Sequence, residues 1–339
     1  MNLDRLNIAV LLPCYNEAAT IADVVKGFAR ALPTAAVYVY DNNSTDGTAE
    51  IAALAGAFVV REPRQGKGHV VRRMFADIEA DIFVMADGDG TYDPEDAPKL
   101  VNKLLEDRCD MVVGTRQGVH DDAGRAGHAF GNRLFNGIYR QIFGDDFTDI
   151  LSGYRAFTRR CVKSFPAVSG GFEIETEMSV HAGQLKLPVG EIELNYGRRP
   201  EGSHSKLSTF GDGFKILFMF VRLMQTTQPF RFYGLIAAFL FGAAIIFATP
   251  PIIEYLTTGL VSRIPTWIGA VGLALLGTVM LVCGLILNSV AKGRAEQKRL
   301  NYLAQPPARG EMRPRIVPQE RRKAGKRKTV DAPPVTSEE

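Results

Sequence analysis

Through roughly the first 210 residues, short apolar runs alternate with longer stretches of helical period. Residues 6–13 are apolar and partly β-branched, stop at Pro13, and give way to a helical pattern over 18–32. A second run, 36–40, leads through a polar loop into a helix ending near Gly56. Residues 58–61 read as a third strand, 66–79 as a helix and 82–86 as a fourth strand; spans near 110–115 and 190–196 read as later strands, and 130–143 as an amphipathic helix. Strands alternating with helices of this length predict an α/β domain with a largely parallel sheet. Ligands of such sheets gather beyond the carboxyl ends of the strands. The polar loops after the first, second and fourth strands lie there.

The pattern then changes. Residues 210–224 mix Lys215 and Arg222 with Phe214, Leu217, Phe218 and Leu223, which suits a helix lying in a membrane interface or, alternatively, one packed on the soluble domain. Phe232–Ile253 is 22 residues without a charge and Ile264–Ala291 is 28; a span needs about 20 apolar residues. Pro250 and Pro251 are expected to end the first span early or to kink it. Arg222 and Arg231 precede the pair, and Lys292, Arg294, Lys298 and Arg299 follow it. The bias of cationic residues towards the cytoplasm then places the α/β body and both termini in the cytosol, with 254–263 as a short outer loop. The expected organisation is a catalytic domain over 1–209, an interfacial helix over 210–230, two spans within 231–291 and a basic tail over 292–339. Beyond about Gln305 the composition is that of a disordered segment, either contacting anionic lipid or serving as a solvated spacer.

Composition sharpens this division. The chain has 339 residues, 46% hydrophobic and 23% charged, with a net charge of +3. That charge is a mixture, because residues from 291 onward carry 13 Lys or Arg against 6 Asp or Glu, while the body before them carries 27 against 31. A nucleic-acid binder would have its positive charge on the folded body, so nucleic acid is not an expected partner. Cys14, Cys109, Cys161 and Cys283 show no paired spacing, which suggests neither a zinc site nor a disulfide framework. The short run Ile8–Leu12, preceded by Asp4 and Arg5, reads as a buried strand and not as a signal peptide.

The loop after the fourth strand contains Asp87-Gly88-Asp89. Two carboxylates at i and i+2, with Gly88 and Gly90 relaxing the backbone, can present oxygen ligands to a divalent cation that also holds a diphosphate. The loop after the first strand, Pro13 to Glu17, has no glycine, which excludes a dinucleotide fingerprint. Gly66-Lys67-Gly68 lacks the rest of a P-loop, leaving Lys67 as a phosphate neighbour or a solvated helix start. His69, His128 and His181 have no metal spacing and read as packing or surface residues. Cys14 reads as packing, and Glu173, Glu175 and Glu177 as the polar face of an extended stretch or a contact to sugar hydroxyls.

Taken in order, Pro13-Cys14-Tyr15-Asn16-Glu17, Asp41 to Thr48, Gly66-Lys67-Gly68, Asp87-Gly88-Asp89, Gly114-Thr115-Arg116, Asp149 with Ser152-Gly153-Tyr154-Arg155, and Arg199 to Lys206 resemble a family 2 glycosyltransferase of the GT-A fold. Within that family they are similar to the polyprenyl-phosphate glycosyltransferases, the group of dolichol-phosphate mannose synthase and bactoprenol glucosyltransferase. The resemblance covers about residues 6–210 together with the two-span architecture. It implies a nucleotide-sugar-binding α/β domain with a mostly parallel central sheet, followed by interfacial helices and a transmembrane hairpin. Pro13, Tyr15, Asn16 and Glu17 would line the base and ribose, with Asp41 and Asp46 completing that wall and Lys67 near the phosphates. Asp87, Gly88 and Asp89 would face the diphosphate, Asp89 most directly, through Mg²⁺ or Mn²⁺. Thr91 stands where related enzymes often have Gln.

On the acceptor side the resemblance places Asp149 next to the attacking group. A lipid phosphate has a second pKa of about 6 and needs little deprotonation, so positioning is the expected role and base catalysis a secondary one. Arg199, Ser205 and Lys206 would belong to a phosphate-cradling acceptor loop, while Arg116 and Arg133 would hold the lipid phosphate, joined by Arg125 unless that residue belongs to a solvated helix face. The reaction so implied is inverting, metal-dependent transfer of a hexose to a polyprenyl phosphate, with a UDP-glucose-like donor first and GDP-mannose second, and a homo-oligomer possible. The competing readings are a processive polysaccharide synthase, a transferase acting on hydroxyls, and a nonenzymatic nucleotide-sugar sensor. A processive synthase usually carries Gln-x-x-Arg-Trp and more spans, whereas the single tryptophan, Trp267, lies in the second apolar run.

Overall fold

A computed structural model describes residues 6–117, 137, 147–171, 173–197, 218 and 221–307. The expected helix over 130–143, most of 210–220, the segment 198–209 and the tail beyond 307 lie outside the described residues, except for single positions.

Seven strands form one sheet in the order β3-β2-β1-β4-β6-β5-β7. They are β1 (Ile8–Cys14), β2 (Ala36–Asp41), β3 (Phe58–Arg61), β4 (Ile82–Met85), β5 (Met111–Gln117), β6 (Arg155–Thr158) and β7 (Val189–Asn195). Neighbours run parallel except β6, which is antiparallel to both β4 and β5. β1 is central and covered on both faces, which is why it reads as an unbroken apolar run and not as an alternating one. Ile8, Val10 and Leu12 point into a core with α1 (Ile21–Ala31) and α4 (Ala97–Glu106), while Ala9 and Leu11 point into another with α3 (Lys67–Asp77), α5 (Arg159–Ser164) and α6 (Ile174–Leu185). α2 (Thr48–Leu54) contributes Ala52 to the first core, with half-buried Ile51 packed against it.

The strands and helices of the first hundred residues fall within a few positions of the sequence reading. Residues 173–177 do not. They open α6, with Ile174, Met178, Ala182 and Leu185 buried at helical spacing, so Glu175 points away from Glu173 and Glu177, which stand four residues apart on one side.

The two apolar runs form α7 (Pro229–Thr258) and α8 (Ile264–Ala304), long and apolar enough to cross a membrane. Pro250 and Pro251 lie inside α7, which continues beyond them to Thr258, so the first span is not cut short there. Between the ends of the hairpin the buried positions are Ala237, Ala244 and Pro251 on α7 and Ala270, Gly277 and Gly284 on α8, each set spaced by seven; Pro229 and Tyr302 are buried at its roots. A Cβ on Gly277 would lie 3.2 Å from the Phe241 ring, and one on Gly284 would lie 3.1 Å from the Tyr233 Cβ. Small residues thus let the two backbones approach. Leu235, Phe239, Ile246 and Leu275 point outward and are more than half exposed, the reverse of a soluble core.

The basic segment expected as tail from residue 292 is helical as far as Ala304 and returns to the α/β domain. Tyr302 is buried, and its hydroxyl donates to Asp110 Oδ2 at 2.8 Å while Thr158 Oγ1 donates to Oδ1 at 2.6 Å. The Arg299 and Arg160 guanidinium groups lie over the Tyr302 ring at 5.0 and 5.6 Å, and Arg299 also donates to the Leu185 carbonyl. Aromatic burial and these charge contacts make α8 a strut between hairpin and sheet.

Candidate active site

The carboxyl ends of β1, β2 and β4 lie along one sheet edge, as their parallel registers require. Because β6 is antiparallel, its leading end meets that edge. Arg155 pairs with Met85 of β4 and with Val113 of β5, which brings 149–154 and Arg116 beside the Asp87 loop.

The first two loops are stitched together. Asn16 takes a left-handed φ of 52°; its N–H donates to Ser44 Oγ at 2.8 Å and its Oδ1 accepts from the Thr45 N–H at 2.9 Å. The Glu17 N–H donates to Thr48 Oγ1. Asp46 accepts from Thr48 through Oδ1 and from the Ala18 N–H through Oδ2. Partial burial raises its pKa, but the Thr48 hydroxyl and the backbone N–H groups outweigh that and hold the carboxyl below its usual range. Asp46 thereby braces the wall expected to hold a nucleotide. Asp41 is different: Oδ2 accepts from the Ser44 N–H at 3.1 Å, while Oδ1 is buried without a hydrogen-bond partner. A buried orphan carboxylate oxygen is costly unless a ligand or water meets it. Tyr15 is 36% exposed at the same edge.

Lys67 is not a solvated helix start. Its ammonium is buried between Asp87 Oδ1 and Glu175 Oε1, the latter at 2.5 Å. Burial lowers its pKa, but the two carboxylates outweigh this and raise it, so the group stays charged. The flanking glycines serve close packing: a Cβ on Gly66 would lie 2.1 Å from the Gly170 carbonyl oxygen, and one on Gly68 would lie 2.1 Å from that of Ser169. Asn42 holds the approach to Lys67, donating to the Glu62 and Arg64 carbonyls and accepting from the Gly66 N–H at 2.7 Å.

Asp89 is buried, and its Oδ1 accepts from the Thr91 hydroxyl at 2.6 Å and from the Thr91 N–H at 3.1 Å. Thr91 therefore orients Asp89. Gly88 passes Cys14, whose Sγ would lie 2.5 Å from an added Cβ, and Gly153 admits the Asp87 carboxylate, which would lie 2.8 Å from a Cβ there. Both are close approaches that only glycine allows. No group of three or more His, Cys, Asp or Glu able to hold a metal occurs among the described residues. Two carboxylates nonetheless fit Mg²⁺ or Mn²⁺ when the substrate's phosphates complete the shell, and the oriented Asp89 is the better placed of the pair.

Arg116 was expected on an acceptor phosphate, yet its guanidinium is committed elsewhere. Nε donates to Asp149 Oδ2 and Nη2 to Oδ1, both at 2.8 Å. Burial raises the Asp149 pKa, but the Arg116 fork and its charge bring it below the usual range. Such a carboxylate is a weak base, which favours positioning. Glu191 accepts from the Thr148 N–H and hydroxyl, both at 2.7 Å, and fully buried Arg155 donates to the Ile150 and Ser152 carbonyls and to Ser179 Oγ. Arg125, Arg133, Arg199, Ser205 and Lys206 lie outside the described residues.

Sequence reasoning missed the partnership of Lys67 with Glu175, the bracing roles of Asn42 and Glu191, and Tyr92, whose hydroxyl accepts from the Gly153 N–H at 3.0 Å. The signal for Glu175 was the helical spacing that starts at Ile174. His181 is packing, as expected: it is buried, hydrogen-bonded to Ser164 at 3.0 Å, and kept neutral with its pKa pushed down to about 3 by desolvation and by Lys298.

Residues 9–165 match the sequence profile of Glycosyl transferase family 2. Glycosyltransferase AglJ of Haloferax volcanii is 36% identical over 299 residues, which cover 87% of this chain and 98% of that protein. The dolichyl-phosphate hexose transferase of the same organism is 26% identical over 61% of this chain and 89% of its own length. Among solved structures, glucosyl-3-phosphoglycerate synthase from Mycobacterium tuberculosis, in complex with Mn²⁺, UDP and glucosyl-3-phosphoglycerate, superposes with a TM-score of 0.54 at 26% identity. That likeness covers 66% of this chain and 80% of the synthase chain.

Proposed function

The chain belongs to glycosyltransferase family 2, and on that premise we propose that it transfers a hexose from a nucleotide sugar to a polyprenyl phosphate at the cytoplasmic face of a membrane. The observation that carries the acceptor is the strut: α8 leaves an outward-apolar hairpin and locks onto the catalytic domain through Tyr302 and Asp110. A domain fixed in this way acts at the depth where a lipid phosphate emerges. The likeness to a dolichyl-phosphate hexose transferase supports the same reading.

The nucleotide lies along the braced loops, with its base by Tyr15 and a polar group meeting Asp41 Oδ1. Asp89 and Asp87 face the diphosphate. A bound Mg²⁺ or Mn²⁺ would neutralise charge on the departing diphosphate. The acceptor phosphate oxygen forms a bond to the anomeric carbon from the opposite face as the bond from that carbon to the diphosphate oxygen breaks, inverting the configuration. Asp149, clamped by Arg116, positions the acceptor region without having to take a proton. The strongest support for a uridine donor is the Mn²⁺ and UDP complex of the structural neighbour. UDP-glucose is the first donor to test and GDP-mannose the second.

Purified full-length protein, incubated with Mg²⁺ or Mn²⁺, a polyprenyl phosphate and radiolabelled UDP-hexoses or GDP-mannose, should yield an organic-extractable sugar phosphate. Sugar transfer to a soluble hydroxyl acceptor with no lipid product would refute the acceptor. Nucleotide binding with no turnover on any acceptor would favour a sensor.

A further inference from the structure

A cavity of about 830 Å³ opens between the catalytic domain and the roots of the two long helices. Its walls come from the α5–α6 segment with α6, from Phe218, Arg222, Leu223, Thr226 and Thr227 ahead of α7, and from the turns of α8 between Ala291 and Asn301. These are the places where both uncharged runs give way to charge. With the hairpin in a bilayer, the cavity lies at headgroup depth.

Its electrostatics are unbalanced. Arg222 and Arg294 line it and form no ion pair among the described residues, and Lys298 Nζ donates to the neutral Gln184 Oε1 at 3.0 Å. Two acids, Glu173 and Glu177, also border it, but the Glu177 carboxylate already accepts from the Val168 and Ser169 N–H groups at 3.0 and 2.8 Å. The fourth cation, Lys163, is held by Glu79 and by the Phe75 and Ile78 carbonyls. Behind the wall, Thr176 Oγ1 and His181 Nδ1 are buried with no hydrogen-bond partner among the described residues. Phe165, Val180 and Leu223 make the same wall partly apolar.

We infer that this cavity binds the phosphodiester headgroup of an anionic bilayer phospholipid, seating the catalytic domain at a fixed height on the membrane. The phosphate meets Arg222, Arg294 and Lys298. The first methylenes of the chains meet the apolar wall before continuing along the outward faces of α7 and α8. A free phosphate would satisfy the cations and leave that wall empty. The occupant is a bystander and not the sugar acceptor, because none of Lys67, Asp87, Asp89, Arg116 and Asp149 lines the cavity. The first turn of α6 separates the two places: Glu175 faces Lys67, while Thr176 and Glu177 face the cavity. The inference rests on the membrane placement of the hairpin proposed above, but not on the identity of the sugar or its acceptor.

Native mass spectrometry of the full chain in neutral detergent, titrated with phosphatidylglycerol, phosphatidylcholine or inorganic phosphate, tests it. One phosphatidylglycerol should be retained per chain, with the other two probes at least tenfold weaker. R294Q/K298Q should lose that preference at least tenfold while binding nucleotide normally, and K292Q, a change outside the cavity lining, should not. Arg222→Gln provides a second, single variant should the double one fold poorly. Equal retention of phosphatidylcholine, undiminished retention by the variants, or displacement by equimolar polyprenyl phosphate would overturn the inference, the last by making the cavity an acceptor groove. Failure of the membrane placement itself is read separately, as release of the chain from membranes by alkaline carbonate.

Discussion

Arg116→Lys isolates the contact that decides what Asp149 does. The wild-type guanidinium makes two parallel bonds at 2.8 Å to a carboxylate whose side chain is 9% exposed. Lysine keeps the charge but can reproduce only one of them. A hydrogen bond to a charged group is worth about 1.5–3 kcal/mol, and for a unit of roughly 200 residues each kcal/mol shifts Tm by about 2–4 °C. The variant should therefore melt roughly 3–12 °C below wild type. The Asp149 carboxyl is held below its usual range, so its stabilising contribution is complete above the unfolded carboxyl pKa of about 4 and is lost as pH falls through the lower native value. The gap between wild type and variant should stay constant from pH 8 to about 5 and narrow below about 4. Differential scanning fluorimetry of the full chain in detergent across this range measures it. A gap below about 1 °C, or one that persists undiminished at pH 3, would show that the fork does not hold Asp149 as described. In the same variant, nucleotide affinity should be unchanged, while kcat/KM for the acceptor falls.

Three further changes probe other links. Thr91→Val removes the 2.6 Å bond that orients Asp89 and should raise the metal concentration needed for half-maximal activity about tenfold, from roughly 1.5 kcal/mol of lost orientation; a metal titration of activity, run well below the variant's Tm, checks this. Gly68→Ala places a Cβ 2.1 Å from the Ser169 carbonyl oxygen and should cost about 1–3 kcal/mol, read as a lowered urea midpoint and a weakened nucleotide affinity through displaced Lys67. Tyr302→Phe leaves a buried oxygen of Asp110 without its 2.8 Å donor and should destabilise by about 1–3 kcal/mol. Asp110→Asn measured alone and together with it in a double-mutant cycle should show coupling of the pair.

Much of the site was legible because its parts are local in sequence. The Asp87-Gly88-Asp89 loop follows an apolar strand, and Pro13 to Glu17 and Asp41 to Thr48 follow two others, so topology alone gathers them at one edge. Glu175 was not legible in the same way. Alternation of Glu173, Glu175 and Glu177 suggests a strand, whereas burial of Ile174, Met178, Ala182 and Leu185 makes the segment helical. Arg116 shows the opposite limit: its acceptor role was only what the family resemblance implied, and its commitment to Asp149 depends on where an antiparallel strand begins.

By itself the sequence determined the alternation of elements, the sheet's carboxyl-edge loops and two helices too apolar for water, since these follow from periodicity and from the cost of exposing apolar surface. Tertiary structure decided what each charge pairs with: Lys67 with Asp87 and Glu175, Arg116 with Asp149, and Tyr302 with Asp110. Those choices depend on distances of a few ångströms between residues as far as 192 positions apart. Coulomb and hydrogen-bond energies change steeply over such distances, and no local pattern records them.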